Sequence, residues 1–349
     1  MADFAPPPVT LEDVARHAGV SKATVSRVVN GNYGVSEPLR QRVMQAVEAL
    51  GYQPERPIRR LRGTTSEVLG VIVPDIHNPY FASVVRGIDD LACGYQLNVL
   101  LCHTGDRPAK QDAYIRVMMT ERVVGLILAP SFGITRDPLQ QLAQLGTPVV
   151  LIDRSVSHLR YDTVIVDNFQ GAYQGVTHLI DLGCQRIAFV GGDLQLSPGR
   201  ERLAGYQQAL ADHNLTPDPA LIQIEHFSAE SGRRLTCALL SRPQPPDAIF
   251  AASNSLSMGV LKAVREAGVR VPADLAIVGF DDVPWADELF MPLTTVTQPA
   301  YEIGQEAVRL LLQRRSEPAA PVRTVTLPTS LTIRESCGAA RCAEGARTS

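Results

Sequence analysis

Several things are scarce in this chain of 349 residues, and each scarcity excludes something. Aromatic residues make up 5% of it, with one tryptophan. No apolar run reaches the roughly 20 residues of a membrane span, so no membrane partner is expected. The start, Met-Ala-Asp-Phe-Ala-Pro-Pro-Pro, has neither the basic region nor the apolar stretch of a secretion signal, so the expected location is the cytoplasm. The six cysteines at 93, 102, 184, 237, 337 and 342 form no Cys-x-x-Cys pair, which argues against a disulfide framework or a zinc site. Cys93, Cys102, Cys184 and Cys237 read as packing residues, whereas Cys337 and Cys342 fall in a Gly/Ala-rich tail. The seven histidines form no metal-spaced pair. Neither a Gly-x-Gly-x-x-Gly after a strand nor a phosphate-cradling Walker loop is present, so neither a cofactor nor an enzymatic reaction is expected.

Basic charge is also scarce, with a net charge of −3. The sum hides an asymmetry: residues 1–63 carry nine Lys and Arg against six Asp and Glu, and the remainder 24 against 30. A basic head on an acidic body suits a chain whose phosphate contacts come from one small domain. With 45% apolar residues the chain can bury a large core, in two or three domains.

The densest signal lies at residues 10–30. Thr10 and Asp13 are spaced as a capping box, and Val14, Ala15 and Ala18 give the following helix an apolar stripe. Gly19 supplies the left-handed turn, with Val20 as an apolar plug beneath it. Ser21 caps a second helix whose Val25, Val28 and Val29 face inward. A third helix, capped by Ser36 with Pro38 in its first turn, closes the core with Leu39, Val43, Ala46, Val47 and Leu50. A helix-turn-helix of this kind presents its second helix to the DNA major groove. Lys22, Ala23 and Arg27 are then the base-edge candidates, because Arg forks onto guanine and a small apolar side chain meets a thymine methyl. Ser21, Thr24, Ser26 and Asn30 suit phosphate oxygens. The plainer reading is a helical hairpin with solvated charges, and the third helix counts against it.

Beyond residue 66 short Val- and Ile-rich runs alternate with amphipathic stretches. The runs are Val68 to Pro74, Asn98 to Cys102, Val124 to Ala129, Val149 to Asp153, Arg186 to Gly191, Ala248 to Ala252 and Leu275 to Gly279. The intervening helices are Phe81 to Cys93, Gly171 to Leu182, Gly199 to His213, Leu256 to Ala267 and Tyr301 to Arg314. That alternation predicts an α/β class with parallel sheets covered by helices, in two successive lobes.

The segments Ala-Gly-Val-Ser-Lys-Ala-Thr-Val-Ser-Arg-Val-Val-Asn-Gly, Leu-Gly-Tyr-Gln-Pro, Leu-Gly-Val-Ile-Val-Pro-Asp-Ile-His-Asn-Pro-Tyr-Phe, Arg-Leu-Ala-Gly-Tyr at 202–206, Val-Gly-Phe-Asp-Asp at 278–282 and Pro-Leu-Thr-Thr-Val-Thr-Gln-Pro at 292–299 occur in this order. In order and spacing the chain resembles the lactose/galactose repressor family through nearly its whole length, to Arg334. The resemblance implies a helix-turn-helix domain over 9–52 and a hinge over 53–66. It implies an effector-binding core like the periplasmic sugar-binding proteins, with a first lobe of 67–166 and 294–325 and a second of 167–293 and 326–336. A flexible tail of 337–349 would follow.

By the same resemblance the hinge becomes helical on DNA and inserts a leucine into the minor groove, which assigns that role to Leu61 with Arg59 before it. Glu55 and Ile58 depart from the family pattern there. The residues matching the family's effector positions are Asp153, Arg202, Ser253 and Asp281, with Tyr80, Phe81 and Phe227 as aromatic walls, a set that suits the hydroxyls and ring face of a sugar. Plainer readings exist: the strand-end aspartates as caps of the following turns, Arg202 in a surface ion pair, Phe227 in the core; Ser253, where relatives often have Asn, offers a shorter, single contact. Leu196 and Pro198 disfavour a purine. The expected protein is a homodimeric, effector-responsive repressor on a pseudo-palindromic double-stranded operator, its dimer contacts along the Tyr80 to Gly94 helix. A sugar-binding transport protein without DNA activity is the alternative.

Overall fold

Thr10 acts as its spacing from Asp13 predicts. Its hydroxyl accepts the Asp13 N–H at 3.3 Å, and Asp13 Oδ2 accepts the Thr10 N–H at 3.0 Å, closing the capping box at the start of α1 (Leu11–Ala18). The Thr10 donors hold the Asp13 carboxyl below its ordinary value. Gly19 ends α1 in the left-handed region at φ +62°, and Arg42 reaches back from the third helix to donate to the Ala18 carbonyl at 2.7 Å. In α2 (Lys22–Val29) the first turn is capped by Ser21, whose Oγ accepts the Thr24 N–H at 3.2 Å. For α3 (Glu37–Ala49) the structure corrects the expected cap: the Ser36 side chain makes no capping bond, Pro38 in the first turn has no N–H to offer it, and the Leu39 and Arg40 N–H groups go to the Ser36 carbonyl. Val14, Ala15, Ala18, Val25, Val28, Val43, Ala46 and Tyr52 form the small core. Replacing Thr10 by alanine should cost this unit about 1 kcal/mol, seen as faster hydrogen exchange of the first α1 amides.

The computed structural model describes residues 9–29, 35–52, 67–288 and 291–339, and the chain divides into two compact units, Met1–Thr65 and Ser66–Ser349. The positions Asn30, Arg59, Leu61 and Cys342 lie outside the described residues.

The larger unit holds two six-stranded sheets. The first contains β1 (Val68–Val73), β2 (Asn98–His103), β3 (Leu126–Leu128), β4 (Val149–Ile152), β5 (Asp162–Val166) and the late strand β11 (Thr324–Leu327), in the spatial order β11-β5-β4-β3-β1-β2. The second repeats the plan with β6 (Ile187–Gly191), β7 (Ile222–Ile224), β8 (Ala248–Ala251), β9 (Ala276–Phe280), β10 (Thr294–Thr297) and β12 (Ser330–Thr332), in the order β12-β10-β9-β8-β6-β7. Pairing is parallel except between β10 and β12. Central strands such as β6, β8 and β9 are buried along their whole length, as uninterrupted Val/Ile/Ala/Phe runs require.

Helices α4 (Pro79–Gly94), α5 (Pro108–Glu121), α6 (Arg136–Gln144) and α11 (Ala300–Ser316) belong to the first lobe. The second has α7 (Asn168–Asp181), α8 (Ser197–Asp212), α9 (Ala229–Leu240) and α10 (Asn254–Glu266). Helices α4 and α11 cross at glycines: a Cβ on Gly87 would stand 2.0 Å from the Tyr301 carbonyl oxygen, so only hydrogen fits.

The chain passes between lobes after β5, after β10 and after β11. The last two passages are later than expected. Thr294–Thr297 pairs with β9 and β12, so this β-branched run completes the second sheet before the chain leaves it. Thr324–Leu327 pairs with β5 and therefore closes the first sheet. A boundary at 294 gives the whole of β10 to the wrong lobe, and one at 326 cuts β11 in two.

Two further expectations are corrected. Cys337 is not part of a loose tail: it is buried in the second lobe's core, with Sγ 3.3 Å from His178 Nε2, in a short 3-10 turn over Glu335–Cys337. Cys93 is exposed on the last turn of α4, because α4 buries its opposite face. Among the described residues no helix is long and apolar enough to cross a membrane.

Asp162 opens β5 with its carboxylate fully buried. Arg314 of α11 grips it with two bonds, Nε to Oδ2 at 2.8 Å and Nη2 to Oδ1 at 2.9 Å, and the Arg323 N–H adds a third at 2.9 Å. These bonds tie α11 and the approach to β11 onto the sheet.

Candidate functional site

Strands β4 and β9 occupy equivalent places in their sheets, and each runs into an aspartate in the left-handed region: Asp153 at φ +69° and Asp281 at φ +70°. Aspartate tolerates that conformation better than most side chains. The N–H of each still bonds the neighbouring strand, Asp153 to Val164 O at 3.1 Å and Asp281 to Val296 O at 2.8 Å. Both carboxylates are therefore anchored to a sheet edge rather than a loop. They face one interlobe cavity of 90 Å³.

Arg202, on α8, is 3% exposed and held on all sides. Its Nε donates to Asn168 Oδ1 at 2.9 Å and its Nη1 to the Ala252 carbonyl at 2.7 Å. The guanidinium carbon lies 3.7 Å from the centre of the Phe280 ring, and Nη1 is 3.8 Å from Asp281 Oδ2. Cation–π contact and two fixed acceptors leave Arg202 one orientation. Gln298, at the second passage between lobes, donates through Nε2 to Asp281 Oδ1. Across the cavity, Arg154 bonds Asp153 Oδ2 through Nε at 3.2 Å, Asp106 Oδ2 through Nη2 at 3.1 Å and the Pro130 carbonyl through Nη1 at 3.0 Å.

Tyr80 and Phe81 meet edge to face, with centroids 4.9 Å apart. The Tyr80 hydroxyl is buried beside the Asp153 carboxylate without a hydrogen bond of full geometry, and Gln298 Oε1 is unpartnered among the described residues. An unpaired polar atom in such a place costs free energy, and a ligand group recovers it. Burial pushes the Tyr80 phenol well above its ordinary value, and the charges of Asp153 and Asp281 push it further. Burial also raises Asp153; Arg154 and Arg202 pull it back, and Asp281 adds like-charge repulsion.

All seven residues expected at the effector site line this cavity: Tyr80, Phe81, Asp153, Arg202, Phe227, Ser253 and Asp281. Ser253 is largely spent as a cap, accepting the Leu256 N–H at 3.2 Å. Sequence reasoning missed Arg154, Asp106, Asn168 and Gln298, of which Gln298 stood within a quoted segment. It also missed two bonds that fasten the lobes together, Asn254 Nδ2 to Asn78 Oδ1 at 2.7 Å and Ser155 N to Ser197 Oγ at 2.9 Å.

In the smaller unit, Lys22, Ala23 and Arg27 are exposed on α2, and with Ser26 they span an arc of about 140° opposite Val25 and Val28. Ser21 is exposed and Thr24 half-buried, their hydroxyls 2.9 Å apart.

The class this describes is a two-lobed small-molecule receptor carried on one chain with a helix-turn-helix unit. Residues 10–55 match the profile of bacterial regulatory proteins of the lacI family, and residues 176–337 match the periplasmic binding protein-like domain. The ribose operon repressor of Halalkalibacterium halodurans is 35% identical over 326 residues, covering 93% of this chain and 96% of that protein. Two solved structures superpose over most of their length. One is a transcriptional regulator CelR–cellobiose complex, with a TM-score of 0.71, 32% identity, and 94% and 99% of the two chains covered. The other is the lac repressor dimer bound to operator and the anti-inducer ONPF, with a TM-score of 0.74, 31% identity, and 95% and 99% covered. The chain belongs to the lacI family of bacterial regulatory proteins.

Proposed function

We propose that this protein is a cytoplasmic, homodimeric transcriptional repressor that holds a pseudo-palindromic operator and is controlled by a small sugar or sugar derivative in the interlobe cleft. The observation that carries the sugar half is the convergence of Asp153, Asp281 and Arg202, from both lobes, on one small cavity walled by Tyr80, Phe81 and Phe227. Fixed carboxylates and a guanidinium beside aromatic faces match a ring that is polar at its rim and apolar on its face. Relatives handle such ligands, in a ribose operon repressor and a regulator bound to cellobiose.

The DNA half rests on α2. Lys22, Ala23 and Arg27 read base edges, while Ser21, Thr24, Ser26 and Asn30 meet phosphates. Arg59 and Leu61 act in the connector over 53–66, Leu61 as the minor-groove wedge. Two copies, paired through the first lobe, place one headpiece on each half-site, a reading supported by a similar protein, the lac repressor, being a dimer bound to operator. A ligand that prefers one lobe arrangement shifts operator affinity, and by reciprocity the operator shifts ligand affinity equally.

Arg27→Ala should weaken binding to the preferred operator by about 1–3 kcal/mol and relax preference at one symmetric base pair. Mobility shifts on a randomised inverted-repeat library measure both, and unchanged affinity with unchanged base preference removes Arg27 from the readout.

A further inference from the structure

We infer that the cleft takes an uncharged sugar and rejects sugar phosphates and sugar acids. The inference rests on the reading of the cavity as a sugar site and narrows it by charge.

Among the described residues lining the cavity, four carboxylates, Asp75, Asp106, Asp153 and Asp281, face two guanidiniums, Arg154 and Arg202. Both guanidinium charges are already matched within the lining, Arg154 by Asp153 and Asp106 and Arg202 by Asp281, whose Oδ2 lies 3.8 Å from Nη1. Arg154 uses Nε and both terminal nitrogens on Asp153, Asp106 and the Pro130 carbonyl. Arg202 uses Nε and Nη1 on Asn168 and the Ala252 carbonyl, which leaves Nη2 for a ligand. The acceptors facing inward are the carboxylates of Asp153 and Asp281 and the unpartnered Gln298 Oε1. The Tyr80 hydroxyl, beside Asp153, and the Ser253 hydroxyl, whose oxygen accepts the Leu256 N–H, are neutral donors.

Such a lining asks its ligand for O–H donors. A neutral polyol supplies them, each hydroxyl giving its proton to a carboxylate and accepting from Tyr80 or Arg202 Nη2. A phosphate or carboxylate at neutral pH only accepts, and it would bring negative charge against acids already drawn out of water.

The test is isothermal titration of the full chain with matched probes: neutral pentoses and hexoses such as D-ribose and D-glucose, against D-ribose 5-phosphate, D-glucose 6-phosphate and D-gluconate. Mobility shift on the operator checks that each preparation is intact. One neutral sugar should bind at least about 100-fold more tightly than its charged counterpart. Asp153→Asn keeps the shape and tolerates the left-handed backbone, so it should narrow that ratio about tenfold or more even where it weakens the neutral sugar.

A charged sugar binding as tightly as its neutral counterpart overturns the inference and leaves the cleft a sugar site. An unaltered ratio in Asp153→Asn overturns the electrostatic cause. If neither set binds while operator affinity persists, the sugar reading itself falls and the inference with it.

Discussion

Replacing Arg202 by alanine is expected to abolish effector response while leaving a repressor that still holds its operator. Truncation removes the hydrogen bonds to Asn168 and the Ala252 carbonyl together with the contact over Phe280, and it leaves Asp281 with Gln298 as its neighbour. Removing one partner of a buried, hydrogen-bonded charge cluster costs about 2–5 kcal/mol, much of it the penalty on the charge left behind. Because each 1.4 kcal/mol is tenfold, sugar affinity should fall by about 30-fold to a few thousandfold. Arg202→Lys should recover little, since an ammonium offers neither the planar fork nor the stacking on Phe280. Calorimetry reads the loss and a mobility shift without sugar reads the retained operator binding. An alanine variant that binds sugar like the parent takes Arg202 out of the site.

Arg314→Ala is expected to destabilise the first lobe by about 3–5 kcal/mol, the usual cost of stripping one partner from a buried ion pair. Burial alone would raise the Asp162 carboxyl, yet it is held below its ordinary value because the two Arg314 bonds and the Arg323 N–H outweigh burial. A depressed folded-state value has a definite sign. The stabilisation is fully present above the ordinary carboxylate pKa of about 4 and is lost as pH falls through the folded value. Without Arg314 burial dominates and the carboxyl rises, so the variant should lose stability as pH climbs from about 4 towards neutrality. Denaturant melts of parent and variant should therefore diverge most at pH 7 and converge in acid. A gap that does not depend on pH assigns the effect to lost packing of the Arg314 stem.

What the sequence made legible was what is local. Caps and the glycine turn of the headpiece depend on residues three to five apart, and they form as read, apart from Ser36, whose neighbour Pro38 lacks an N–H. The long Val/Ile runs became strands. Helices α5 and α9 escaped because their core faces carry polar or small residues: Gln111 is fully buried with its amide oxygen taking the Ser131 N–H at 2.7 Å, and α9 buries Ser231, Gly232 and Thr236. The apolar periodicity there shrinks to Ile115 and Met118 in α5 and Leu235 and Leu239 in α9.

The site divides the same way. Asp153 and Asp281 were legible because they end apolar runs, and Arg202 because of the segment it opens. Asn168 and Gln298 look like loop polars in sequence, and their role exists because two passages between lobes run beside the cavity. The Asp162–Arg314 pair, separated by 152 residues, is visible only once β5 and α11 are packed.

The left-handed aspartates have one further consequence. Each is riveted to its own sheet by a main-chain bond and its carboxylate is held by Arg154 or Gln298, so the gap between the two carboxylates follows the rotation of whole lobes. The pair works as a calliper whose reading is the interlobe angle. Ligand length then selects the angle, and an analogue longer by one bond should wedge the jaws wider and reverse the regulatory outcome without forfeiting affinity.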